Sequence, residues 1–142
     1  YLKSRGLGDV YKRQVYEGAV ASTVLPAEGG YLGVWANHAP MVAALVPGML
    51  TLYEGSSEVE TSHYAVSSGF AEVSGNKMIL LVDSAELESE IDAQRAEKAL
   101  ERAKENLRKA LHGGEGEFDI ERAQRAKERA EARLHVAYSR GK

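Results

Sequence analysis

Four arginines at two spacings are the residues best suited to chemistry: Arg95 and Arg102 lie seven apart, Arg129 and Arg133 four apart. Both separations place the pair on one face of a helix. A guanidinium stays charged at every physiological pH and presents a planar fork of donors. Four of them supply no base, but they suit a polyphosphate, which arginine binds two oxygens at a time. The competing reading is a solvated helix face laced with glutamate–arginine pairs, for which Glu97, Glu101, Glu128 and Glu131 offer partners. On spacing alone the solvated face is favoured.

The elements that must carry these arginines are helices. At Ile91–Ala103, IDAQRAEKALERA, the chain changes from a Val/Gly/Ser-rich sequence to one of Ala, Glu, Arg, Lys and Leu. Helix one is expected from Asp92, whose carboxylate caps the first-turn amides, to about Leu111, with Ala96, Leu100, Ala103, Leu107 and Ala110 on one stripe. The glycine-rich run from His112 to Glu117 is the turn. Asp119 is expected to cap helix two, which runs to about Tyr138 with Ala123, Ala126, Ala130, Leu134 and Ala137 facing the first stripe. If the helices lie antiparallel about residue 115, positions 95 to 102 face roughly 128 to 135 and all four guanidiniums converge. Alanine seams bury little apolar area, so at about 25 cal/mol per Å² the hairpin is weakly held and suited to a switch.

Upstream, Val15–Ser84 reads as short strands with turn chemistry about every 8 to 12 residues, near 15–17, 19–25, 31–35, 48–54, 58–66, 69–74 and 77–83. Pro26–Gly30 and Val46-Pro47-Gly48 are turn signals, and Gly55-Ser56-Ser57 and Ser74-Gly75-Asn76 are expected to close hairpins. The unbroken run Met78–Val82 predicts a strand buried on both faces. The expected fold is α+β, an N-terminal β-sandwich over 15–86, a linker over 87–91, a C-terminal antiparallel two-helix hairpin over 92–138 and a tail over 139–142. Residues 1–14, YLKSRGLGDVYKRQ, hold four of the 18 basic residues and read as translated adaptor sequence, a non-native leader ahead of Val15.

Charge is unevenly spread. From Val15 to Ile91 one lysine stands against ten acids, whereas Asp92–Lys142 holds 13 bases and 10 acids. An acidic first part speaks against nucleic acid as its partner. There is no cysteine, hence no disulfide or thiol chemistry. No histidine pair has ligand spacing, so no metal site is expected, and His38 reads as a loop histidine held by a backbone hydrogen bond. There is no GxxxxGKS or GxxxxGKT, and Ser67-Ser68-Gly69 lacks the surroundings of a nucleophile elbow, so an enzyme reading finds no site. No apolar run of 18 or more residues is present to span a bilayer.

Five segments together, VYEGAVASTVLPAEGGYLGV, NHAPMVAALVPGML, SSGFAEVSGNKMILLVDSAE, IDAQRAEKALERA and RAKERAEARLHVA, give the chain its likeness. Over nearly all of Val15–Ala137 it resembles the epsilon subunit of the bacterial F-type ATP synthase. The resemblance implies a non-catalytic rotor subunit of the central stalk, peripheral on the cytoplasmic face of the bacterial inner membrane. Its implied partners are the gamma subunit and the c ring, with the alpha and beta subunits joining when the hairpin extends along gamma. In many members the extended hairpin inhibits ATP hydrolysis, and in those members that bind ATP the nucleotide on the folded hairpin keeps that brake off. No cofactor is required; ATP is the implied regulatory ligand, with or without Mg²⁺.

The family's ATP motif, I/L-D-x-x-R-A with further arginines, is matched by Ile91, Asp92, Arg95 and Ala96. Arg102 matches the second arginine of helix one, Arg129 and Arg133 the pair on helix two, and Glu86 an acidic residue near the nucleoside. These matches turn the balance toward nucleotide binding. The alternative is a structural gamma-binding module without nucleotide sensing. Two departures stand out: the family's opening strand is replaced by residues 1–14, and Tyr31 stands where an acidic residue near the c ring is usual, which weakens a c-ring contact built around His38 and its neighbours.

Overall fold

The computed structural model describes residues 2–6, 14–54, 61–113 and 117–139, with backbone alone for 2–6, 14–18, 61, 117 and 118. Among the described residues ten strands come first: β1 (Leu2–Gly6), β2 (Gln14–Gly18), β3 (Ser22–Ala27), β4 (Gly30–Trp35), β5 (Met41–Leu45), β6 (Gly48–Tyr53), β7 (Thr61–Val66), β8 (Gly69–Ser74), β9 (Lys77–Val82) and β10 (Ala85–Leu87). They pair in the order β10-β7-β6-β3-β5-β8-β9-β1-β2, with β4 added to β3. Strand β3 turns this ribbon into two layers, since Ser22–Val24 pair with β6 while Ala27 pairs with β5.

The strand reading needs three corrections. The strand expected over 19–25 runs instead through Pro26, which the sequence places in a turn. Proline is tolerated there because its carbonyl accepts from the Val46 N–H at 2.9 Å on the side where β6 gives way to β5, so no ladder position loses a donor. Strands β5 and β10 were not expected; β5 is small-residue sequence between two prolines and β10 has three residues, both weak signals. Leu2–Gly6, set aside with the leader, form β1, parallel to β9 and antiparallel to β2.

Turn chemistry explains the rest. Gly75 and Asn76 take φ of 57° and 58°, the left-handed pair of a two-residue hairpin turn between β8 and β9. Strands β6 and β7 form the expected hairpin, though its closing residues 55–57 lie outside the described residues. Leu25, Leu52, Leu80 and Val82 are fully buried between the layers, each such side chain stabilising by about 1.5–3 kcal/mol. The run Met78–Val82 is fully buried on one face only: Met78, Leu80 and Val82 point into the core, while Ile79 and Leu81 are half-buried on the outer surface. Opposite them, Phe70 and Val42 stay 53% and 72% exposed.

The two helices are α1 (Ala93–His112) and α2 (Glu117–Tyr138). Asp92 caps α1, its Oδ1 accepting the Arg95 N–H at 3.1 Å. Asp119 is not a cap: α2 begins at Glu117, so Asp119 lies in its first turn, where a carboxylate meets the positive end of the helix dipole. The alanine seam forms through Ala96, Ala103 and Ala110 of α1 and Ala123, Ala130 and Ala137 of α2. Helix α2 also lies across β6 and β7, and its second apolar edge, Ala132 and Val136, is buried there. The cluster joining hairpin to sheet is small: Ala65, Ile91, Val136 and Ala137, edged by Met49 and Ala93.

Candidate functional site

Where β10 leads into α1 beneath α2, Glu86, Glu90, Ile91, Asp92, Arg95, Ala96 and Arg133 line a cleft of about 270 Å³. That is just below the roughly 300–1,000 Å³ usual for small-molecule sites. Each side is supplied by a different element. Glu86 sits on β10, held by its pairing with Ala65 of β7. A 3-10 turn, Glu88–Glu90, then lifts the chain away from the sheet. Ile91 is 5% exposed in the hairpin–sheet cluster and pins the linker. Asp92 turns its carboxylate to the helix amides, which sets the direction of α1 and places Arg95 at the rim.

Arg133 crosses from α2 to the sheet, its Nε donating to Glu86 Oε1 at 2.8 Å. This ion pair joins hairpin to sandwich. The glutamates that spacing offers to the arginines are engaged elsewhere: Glu97 accepts from the Tyr138 hydroxyl, Glu101 faces Lys104, Glu128 accepts from Gln124 and Glu131 faces Lys127. Among the described residues, Arg95, Arg102 and Arg129 have no ion pair.

The structure thus brings together Glu86, Ile91, Asp92, Arg95 and Arg133. It does not gather all four arginines in one cleft. Arg129, one turn before Arg133, lines the neighbouring groove with Arg125, and Arg102 is exposed on α1 and lines neither. Glu90, an acidic linker residue that the sequence gives no reason to separate from Glu88 as anything but solvated, completes the cleft two residues before Asp92. The Tyr138–Glu97 bond, which ties the end of α2 to the first turns of α1 and raises the tyrosine pKa, joins residues that no spacing rule connects.

Two residues considered for a c-ring contact lie apart. His38 is bonded to the Ala39 carbonyl at 2.8 Å through Nδ1 and lines a cleft with Trp35, Asn76 and Lys77. Tyr31, at the other end of β4, lies beside α2 and accepts the Met49 N–H at 3.4 Å. Among the described residues no group of His, Asp and Glu is arranged to hold a metal ion, and no helix is long and apolar enough to cross a membrane.

Comparison with known proteins matches both parts of this architecture. Residues 11–88 match the profile of the ATP synthase Delta/Epsilon chain beta-sandwich domain, and residues 89–137 that of the Delta/Epsilon chain long alpha-helix domain. An ATP synthase epsilon chain of Anaeromyxobacter dehalogenans strain 2CP-C is 45% identical over 91 residues, 64% of this chain and 67% of that one. Another, from Anaeromyxobacter sp. strain Fw109-5, is 38% identical over 96 residues, 68% of this chain and 70% of that one. A third, from Anaeromyxobacter sp. strain K, is 48% identical over 82 residues, 58% of this chain and 60% of that one. A chain in the cryo-EM structure of the Euglena gracilis mitochondrial ATP synthase, OSCP/F1/c-ring in rotational state 1, superposes with a TM-score of 0.77 and 26% identity, covering 96% of this chain and 79% of that one. With sandwich and helices both matched, in order and across the linker, the chain belongs to the family of ATP synthase epsilon chains.

Proposed function

We propose that this chain is a central-stalk rotor subunit of a proton-translocating F-type ATP synthase, and that ATP bound in the Glu86–Arg133 cleft regulates ATP hydrolysis by holding the hairpin folded. One observation carries the regulatory reading: the cleft takes its walls from β10, the linker, α1 and α2 together. It exists only while the hairpin lies on the sandwich. A ligand that fills it favours the folded hairpin over any extended one by its whole differential affinity. The site residues are Glu86, Ile91, Asp92, Arg95 and Arg133, with Arg129 and Arg102 supplying further positive charge along the two helices. Ile91 and Asp92 act by fixing the linker and the start of α1.

The stalk reading has its own surface. Val42, Ala44 and Phe70, with Ile79 and Leu81 beside them, form an apolar patch interrupted by Glu72 on the outer face of β5, β8 and β9, the layer that does not carry the hairpin. Exposed apolar patches of this kind mark protein interfaces, and this one is suited to the gamma subunit whatever the state of the hairpin. Phe70→Glu is expected to abolish co-purification with gamma while leaving the circular dichroism of the isolated chain unchanged; undiminished co-purification would place gamma elsewhere.

The Arg133–Glu86 pair also favours a second reading, a structural module whose arginines serve ion pairs alone. Calorimetric titration with ATP separates the two. Saturable binding that Arg95→Ala and Arg133→Ala each weaken by about tenfold, the loss expected for one charge-assisted contact, supports the sensor. Absence of heat up to millimolar ATP with folded protein leaves the structural module.

A further inference from the structure

We propose that the groove beside the cleft seats the far end of the nucleotide's phosphate chain, and that Arg125 and Asp83 make the site count phosphates. This rests on the nucleotide reading above. The groove, about 410 Å³, lies between α2 and two turns of the sandwich, with Arg125 and Arg129 on one wall and Ser67, Ser68, Asp83 and Ser84 on the other.

It continues the cleft in a definite direction. From Glu86 back to Asp83 is three residues through the bend that precedes β10, at most about 10 Å of chain. From Arg133 back to Arg125 is eight residues of helix, about 12 Å. Glu86 and Arg133 share the cleft while Asp83 and Arg125 share the groove, so both segments run from the one to the other. A phosphate chain that starts at Arg133 passes Arg129 one turn on, and the exposed Arg125 side chain reaches back from a further turn to its terminal phosphate.

The far wall is built rigidly and the near wall is free to respond. Ser67 is buried; its Oγ accepts the Ser84 N–H at 2.7 Å and donates to the Ser84 carbonyl at 3.4 Å, while the Asp83 N–H donates to the Ser68 carbonyl at 3.2 Å. These bonds lock the two turns to each other. Arg125 faces Glu121 at 3.7 Å, with the two side chains 67% and 63% exposed, a pair that contributes little and is readily exchanged for a phosphate. Asp83, exposed across the groove, opposes the arginines and weakens the hold on any anion. A monophosphate, ending at Arg133 and Arg129, meets neither residue. A triphosphate meets both.

The test is calorimetric titration of the full chain with AMP, ATP and inorganic tripolyphosphate, using the wild type, Arg125→Gln and Asp83→Asn. Both positions are exposed, and circular dichroism confirms folding. Arg125→Gln is expected to weaken ATP and tripolyphosphate by about tenfold with AMP unchanged, and Asp83→Asn to strengthen the first two with AMP again unchanged. Equal effects on AMP and ATP, or none on either, would overturn the phosphate-counting role and leave the nucleotide cleft standing. Absence of nucleotide binding by the folded wild type would remove the cleft reading and this one together.

Discussion

Arg133 and Tyr138 fasten the hairpin in different ways, and both are open to test. The Arg133–Glu86 pair is 41% and 34% exposed, so as a surface ion pair it stabilises by no more than about 1 kcal/mol. Glu86→Gln is expected to change unfolding free energy, measured by chemical denaturation, by no more than that amount. A larger loss would make the pair structural first and a binding group second. Tyr138 donates to Glu97, and this bond to a carboxylate raises the phenol above its ordinary value of 10.0. A group with a raised folded pKa contributes stability that is complete below its unfolded pKa and is lost as pH rises through the folded value. Wild-type hairpin stability is therefore expected to decline above about pH 10, and Tyr138→Phe to lack that component of the decline. The proximity of Glu86, Asp92 and Arg95 was legible in the sequence because the chain between them is short, although only the resemblance singled out Glu86; Arg133 came from its spacing to Arg129 and from the resemblance. The placement of Arg102 and Arg129 was not legible, since counting outward from a glycine turn leaves the offset between two helices undetermined by about a turn.

Sandwich and hairpin differ in how firmly they are built. Leucines and valines fill the sandwich, whereas the hairpin adheres to it through Val136, which is 0% exposed, Ile91 and a few alanines. Val136→Ala removes two buried methyl groups and is expected to weaken hairpin docking by about 2 kcal/mol, seen as faster amide exchange in α2 with β8 and β9 unaffected. Uniform acceleration in both would show that the two parts unfold as one. Gly69 marks the opposite extreme. A Cβ there would sit 1.9 Å from the Leu81 carbonyl oxygen, so Gly69→Ala is expected to disrupt the β8–β9 pairing and destabilise the sandwich itself. Turn residues revealed most strands, and the change of hydrophobic period revealed both helices. Strand β5 escaped notice because Met41–Leu45 is short and rich in alanine. The sheet-facing edge of α2 escaped because one alanine stripe already satisfied the helical period, leaving Ala132 and Val136 unassigned.

The molecule as a whole is a rigid sandwich with a lightly attached hairpin, and its candidate ligand site lies across the boundary between them. Ligand at a hundred times its dissociation constant stabilises the binding-competent form by about 2.7 kcal/mol. That is comparable to the contribution expected of Val136, so nucleotide bound as proposed would be enough to decide whether the hairpin stays down. The apolar patch around Phe70 lies on the outer face of the other layer, so the docking proposed for it would not depend on the position of the hairpin. The most direct test is amide hydrogen exchange of the isolated chain with and without saturating ATP. The account predicts that ATP slows exchange in α2 and around residues 91–96, leaves β8 and β9 unchanged, and loses this effect in Arg133→Ala. Saturating ATP, its binding confirmed by calorimetry, with exchange in α2 unchanged or faster, would contradict it.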